Sequence, residues 1–271
     1  MAVIDSTELI NENMVNGAAF TAMAALKAPK MAKTDIKIEI LTGDDVLPLA
    51  EVLGVLGEAS AFTAGDAICG KKAHEAKTPI VEVLLGANTT RSDLNWNCGA
   101  CGFDTCAEFN AYSKKNFSAG GYYAGPSCNW KAIDFGMAQS WAASAAWQMN
   151  IENRMQTSYG VAGMLLGYME GCNVSVGISL GPCRDQVWYS RPDCIHSFDM
   201  EEHEQFMLNC LPQMQVGFTG GGYPQVKHGP DWAADPKFLK MTEDPEWNAK
   251  MQDIMGRVGA IIEREKAKKA E

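Results

Sequence analysis

Ten residues, NCGACGFDTC at 97–106, constrain this chain more than any other stretch of it. Cys98, Cys101 and Cys106 form a C-x2-C-x4-C array, and Cys128 follows after 21 intervening residues in the context C-N-W-K. Thiolates are soft ligands that select iron–sulfur clusters, zinc or Cu(I). A tight trio with one distant cysteine is a common way to hold a [4Fe–4S] cube. The short spacings place three ligands on one loop, so the fold must bring a second segment to that loop to deliver the fourth. Gly99 and Gly102 each follow a cysteine, which permits tight turns and leaves N–H groups able to face cluster sulfurs.

Two plainer readings compete. A structural zinc site favours paired C-x2-C motifs or a histidine pair. Here the third cysteine comes four residues after the second, and no histidine lies between 75 and 195. Disulfides staple small secreted chains, whereas this one has 271 residues and an odd number of cysteines, nine. The expected cofactor is therefore a [4Fe–4S] cluster with Cys98, Cys101, Cys106 and Cys128 as its metal ligands.

An apolar content of 46% supports a full core, and no apolar run approaches the roughly 20 residues that span a bilayer. The opening stretch MAVIDSTELINENMVNG carries acids and no Lys or Arg, unlike a secretory signal or transit peptide. A cytoplasmic protein with no membrane partner is expected. The net charge of −10 argues against nucleic acid as a partner.

The pattern predicts a helix over 6–27, capped by Ser6 or Thr7, and an alternating strand over 36–43. A helix opens at Asp44 and Asp45 and runs to about Ala59. Residues 60–78 read as mixed, broken by Gly65 and Gly70. The nearly continuous apolar run 79–89 predicts a central strand. A short helix over 105–115 follows the cysteine loop, and SAGGYYAGPS is the loop that delivers Cys128. Helices are expected over 130–149 and 153–169, then a strand over 174–181. The first of these helices is apolar nearly all round, as a buried spine or a dimer seam would be. Residues 244–270 predict a charged, solvent-facing helix. This order points to an α/β or α+β fold. The organisation expected is a core over 1–185 carrying the iron–sulfur loop at 97–128, and a C-terminal extension over 186–271, mostly loop and helix.

The stretch from NCGACGFDTC through SCNWKAIDFGMAQSWAASAAWQMNIENRMQTSYGVAGMLLGYMEGCNVSVGISLG resembles an uncharacterised family of ferredoxin-domain-containing proteins. The matching positions are Cys98, Cys101, Cys106, Cys128, Lys131, Asp134, Gly136, Ala138, Asn153 and Arg154, and the resemblance covers roughly residues 5–185. The cysteine run alone is similar to the small four-cysteine iron–sulfur domain of electron-transport and corrinoid proteins, where the last spacing is shorter. The order of helices and strands also resembles the flavin nitroreductase fold. That resemblance implies a three-layer core, an intertwined homodimer and FMN at its interface. Nitroreductases hold the FMN phosphate with arginines near the N-terminus. This chain has no arginine before Arg91, leaving Lys27, Lys30 and Lys33 nearby, and this argues against FMN.

Other clusters carry weaker signals. Cys172, Cys183, Cys194 and Cys210 are separated by ten, ten and fifteen residues, which matches no compact cluster motif. His196 and His203 lie beside Glu201, Glu202 and Glu204 without the His-Glu-x-x-His order of a zinc hydrolase. His228 stands in a loop, and Gly220, Gly221 and Gly222 read as a turn. Asp134 is placed to bind backbone, and Lys131 and Arg154 to offset cluster charge. The functional expectation is single-electron transfer, as an oxidoreductase or a component of one in an anaerobe, to a redox partner protein. The alternatives are a non-redox enzyme using one cluster iron as a Lewis acid, with His196, His203 or His228 moving protons, or an FMN-dependent reductase. Lewis-acid chemistry needs an iron free of protein ligands, so four cysteines favour electron transfer.

Overall fold

The computed structural model describes residues 5–59, 61–75, 80–119, 123–181 and 245–270. Four strands build the central sheet: β1 (Ile36–Thr42), β2 (Val81–Ala87), β5 (Asn153–Gln156) and β6 (Val174–Leu180). Their order is β1-β2-β6-β5 and every pairing is antiparallel. An all-antiparallel sheet with helices on both faces is an α+β arrangement and not the parallel α/β alternative. β2 lies inside the sheet, and all seven of its residues are buried. That explains why its sequence reads as an unbroken apolar run, with Glu82 as the single charged exception.

Each face of the sheet carries a helical layer. On one side lie α1 (Ser6–Lys27) and α5 (Asn129–Gln148). Met14, Ala18 and Ala25 of α1 meet Phe135, Ala138, Ala142 and Ala146 of α5 over Val83, Leu85, Val176 and Ile178. The alanines let the two helix axes approach each other and the sheet closely. On the other side lie α2 (Leu47–Leu56), α3 (Ala61–Glu75) and α6 (Thr157–Leu165). Leu49, Leu53, Leu84, Tyr159, Ala162 and Leu166 fill that interior. A short α4 (Cys106–Lys115) and a two-residue hairpin, β3 (Ser118–Ala119) with β4 (Ala124–Gly125), sit between β2 and α5.

Several boundaries differ from the sequence pattern. α1 is capped by Asp5, whose Oδ1 accepts from Glu8 N at 3.3 Å, and not by Ser6 or Thr7. The stretch from Asp44 divides into a 3-10 turn, Gly43–Val46, and α2. Residues 61–75 are helical despite Gly65 and Gly70, and glycine stands at 70 because a side chain there would collide with the Tyr159 hydroxyl. The stretch 153–169 opens as the edge strand β5 before α6 begins. The final helix, α7 (Pro245–Ala270), is solvent-facing on one side only. Ile254 and Val258 are fully buried, and Arg257 clamps Glu58 of the α2–α3 segment with two bonds of 2.6 Å.

α5 is not a spine buried all round. Its outer face leaves Ile133, Met137, Trp141 and Trp147 exposed, and α1 beside it exposes Leu9, Ile10, Val15, Phe20, Met23 and Leu26. Among the described residues no helix is long and apolar enough to cross a membrane.

Candidate metal centre

The chain leaving β2 at Ala87 makes a wide excursion before α4. Its backbone is left-handed at Asn95 (φ 52°), Asn97 (φ 51°), Gly99 (φ 71°) and Gly102 (φ 84°). Asparagine and glycine are the residues that take this conformation most readily. The Gly99 carbonyl accepts from Gly102 N at 2.9 Å, so Cys101 rides on a closed turn. Cys106 is the first residue of α4. Thr105 caps the helix and, with Glu108, forms a reciprocal capping box. The Cys106 N–H instead donates to Asn97 Oδ1 at 2.9 Å, which draws the loop back over the helix start.

Cys128 comes to the same place from the far side. It is the residue before α5, and its N–H donates to the Thr89 carbonyl at 2.7 Å. Thr89 is held by Asn173, at the entry to β6, whose Oδ1 accepts from Thr89 N at 2.7 Å. The Asn173 amide also donates to the Ala124 carbonyl at 2.6 Å. One buried asparagine thus ties together the segment after β2, the segment before Cys128 and the start of β6.

The result is a surface recess lined by Cys98, Cys101, Cys106 and Cys128 together. Its apolar walls are Leu94, Trp96, Phe103 and Trp130. Trp96 and Trp130 meet edge to face with centroids 6.1 Å apart, and Phe103 packs on Phe109 and Tyr112 of α4. Cys98 is exposed, Cys101 and Cys106 are half-buried, and Cys128 is buried. The four thiols share the recess without being drawn into a coordination sphere. Among the described residues no group of three or more His, Cys, Asp or Glu side chains is arranged to hold a metal ion.

The donor chemistry of the recess fits a thiolate-bound cluster. The Ser92 hydroxyl donates to Cys106 Sγ at 3.4 Å. That bond, followed by backbone amides of Asn97, Trp96 and Asn95, holds the Cys106 thiol below its ordinary range against a smaller opposing effect of burial. Ser92 is itself fixed by Asn110, which accepts from its N–H at 2.8 Å and donates to its carbonyl at 2.9 Å. The positive N-terminal ends of α4 and α5 carry Cys106 and Cys128, which favours negative charge at both. Trp130 Nε1 is buried with no hydrogen-bond partner among the described residues.

Trp96 and Phe103 line the recess, but Tyr123 does not, and its hydroxyl donates to the Ser175 carbonyl at 2.7 Å. Tyr122 lies outside the described residues. Lys131 is buried and paired with Asp93 at 2.7 Å. The Lys131 ammonium, and after it a smaller contribution from Arg91, holds Asp93 below the usual carboxylate range. The charge of Lys131 is thus largely spent on Asp93. Arg154 lies in β5, away from the recess lining. Asp134 binds backbone: it accepts from Met31 N and Ala32 N at 2.8 Å and from Thr34 N at 3.2 Å. Lys30, considered for a flavin phosphate, instead caps α1 by donating to the carbonyls of Ala25, Leu26 and Ala28. Cys172 is half-buried beside the core of the opposite helical layer, and burial pushes its thiol up. Cys183, Cys194, Cys210, His196, His203, His228, Glu201, Glu202, Glu204 and the glycines at 220–222 lie outside the described residues. Sequence reasoning did not single out Ser92, Asn97 or Trp130 as lining residues. The Asn-Trp-Asn step before Cys98 was the available signal for the left-handed backbone.

No solved structure matches this chain, so the nitroreductase-like core expected from the order of elements is unsupported. An uncharacterized protein of Archaeoglobus fulgidus is 26% identical over 190 residues, covering 70% of this chain and 97% of the relative. Residues 124–191 match the model of a family described as an uncharacterized protein containing a ferredoxin domain. That segment holds Cys128 and Asn173 but not the cysteine trio, which lies upstream of it. Through its Cys128 segment the chain is similar to that ferredoxin-domain family, as the residues around Cys128, Lys131 and Asp134 led us to expect.

Proposed function

We propose that this protein holds one [4Fe–4S] cluster through Cys98, Cys101, Cys106 and Cys128 and passes single electrons to a partner protein in a reducing cytoplasm. The observation that carries this reading is the convergence of all four thiols on one recess, from two segments locked by Asn173. The similarity to a ferredoxin-domain family supports an iron–sulfur group there. Such a cluster, when bound, accepts and returns one electron at a time. The chain's own residues supply what that role needs. Leu94, Trp96, Phe103 and Trp130 give the thiols apolar walls, and the ends of α4 and α5 offset added negative charge. Trp96 is 47% exposed and Cys98 is exposed, so a partner can approach the rim. Metal binding supplies the last closure of the ligands, a coupling common to thiolate sites.

Anaerobic purification followed by iron, sulfide and flavin assays tests the reading. About four iron and four sulfide per chain with no flavin is the expected result for this cluster type. A chain that purifies with zinc alone, or with neither metal nor sulfide, defeats it. Bound FMN without iron would restore the reductase alternative.

A second proposal concerns assembly. The outer faces of α1 and α5 lie side by side and gather Phe20, Met23, Leu26, Trp141 and Trp147, each between 43% and 69% exposed. Contiguous apolar surface of this kind marks an interaction site, and we propose that it pairs with a second copy. Light scattering at micromolar concentration should give a dimer, and Phe20→Glu with Trp147→Glu should give a monomer. A wild-type monomer rejects the pairing.

A further inference from the structure

We propose that the indole N–H of Trp130 is the hydrogen-bond donor that sets the potential of the group held in the recess. This rests on the reading of the recess as an iron–sulfur site, and goes beyond it by assigning one positioning residue. Trp130 is the second residue of α5, two beyond Cys128, and it lines the recess with all four thiols. Its Nε1 is buried and finds no partner among the described residues. An indole nitrogen is a donor only, so its partner is an acceptor, which a group filling the recess would supply. Buried donors without partners are rare enough that each calls for a physical cause.

The surrounding polar groups are already committed. The Ser92 hydroxyl is spent on Cys106 Sγ, and Asn97 Oδ1 accepts from Cys106 N. Trp96 packs edge to face on the Trp130 ring, with centroids 6.1 Å apart at an interplanar angle of 79°. Sulfur atoms of a thiolate-bound cluster are the acceptors that match a lone N–H at this place. A hydrogen bond to such sulfur favours the more negative, reduced state and raises the potential.

The test uses the anaerobically purified full chain. Trp130→Phe keeps an aromatic wall and removes the donor. With iron and sulfide content unchanged, its reduction equilibrium should fall about tenfold, a midpoint near 59 mV more negative for one electron. An unchanged midpoint in a fully loaded variant overturns the assignment while leaving the cluster reading intact. Absence of iron and sulfide from the wild-type chain overturns both. If Trp130→Phe does not load, wild-type protein isotopically labelled at the indole nitrogen decides the matter. The reduced, paramagnetic form should show hyperfine coupling to one indole nitrogen, and the coupling should persist in Trp96→Phe. No coupling in the wild type, or its loss in Trp96→Phe, overturns the proposal.

Discussion

The two ends of β2 treat polar side chains in opposite ways. At its C-terminal end the chain opens into a loop whose thiols line a surface recess, graded from exposed Cys98 to buried Cys128. Near its N-terminal end, Glu82 is sealed in the sheet with no exposure at all. Burial is the main reason its carboxyl is pushed up to about 8, opposed by a hydrogen bond from Ser179. Ser179 Oγ stands 2.7 Å from both Glu82 Oε2 and Gln156 Oε1. A hydroxyl has one hydrogen and can serve only one of these acceptors. A protonated Glu82 resolves this by donating to Ser179, which then donates to Gln156. The lesson is that one strand can carry a polar network for function at its wet end and a neutral polar network for packing at its dry end.

The sharpest way to break this comparison is at the recess. Replacing Cys98, Cys101 or Cys106 by Ala should abolish the broad visible absorption expected of the proposed cluster, whereas Glu82→Gln should leave it whole. If all three alanine variants keep full cluster content, the recess is not the metal centre.

The next effect belongs to the dry end. A carboxyl with a folded pKa above its unfolded value binds more protons when folded. Its stabilising contribution is therefore complete below about pH 4.5 and is lost as pH rises through about 8. At ~1.4 kcal/mol per pH unit across that window, the loss is on the order of 5 kcal/mol. Urea denaturation of wild type against Glu82→Gln at pH 5.5 and 8.5 should show the variant gaining relative stability at the higher pH. Parallel stability curves would mean that Glu82 is not held neutral.

The smallest effect sharpens how the wet end is built. Asn173→Ala removes the amide that binds Thr89 and Ala124 and should cost about 2 kcal/mol of stability. It should also speed cluster loss under chelator, since Cys128 hangs from Thr89. Chelation at the wild-type rate would show that Thr89 and Cys128 keep their place without Asn173.

Much of this was legible in the chain itself. The central position of β2 followed from its apolar run, and the backbone role of Asp134 from its place on α5. Both depend on local pattern. What escaped depended on tertiary partners. β5 is four residues, Asn153–Gln156, with too little alternation to distinguish it from the start of a helix. α3 was obscured by Gly65 and Gly70, and the packing reason for Gly70 is visible only once Tyr159 sits against it. Trp130 read as one more apolar residue on α5, and only the recess makes its nitrogen conspicuous. Glu82 went unremarked within its apolar run, since nothing in the sequence says that Ser179 will lie beside it.

The clasp at Asn173 also has a consequence in time. A ribosome emits the three-thiol loop and Cys128 well before it reaches residue 173, and β6 ends at Leu180. Until then the nascent chain exposes four cysteines with no frame to hold them in order. The recess proposed to hold a cluster is therefore complete only once β6 has closed the sheet, and a chain stopped short of residue 173 lacks the clasp that frames it.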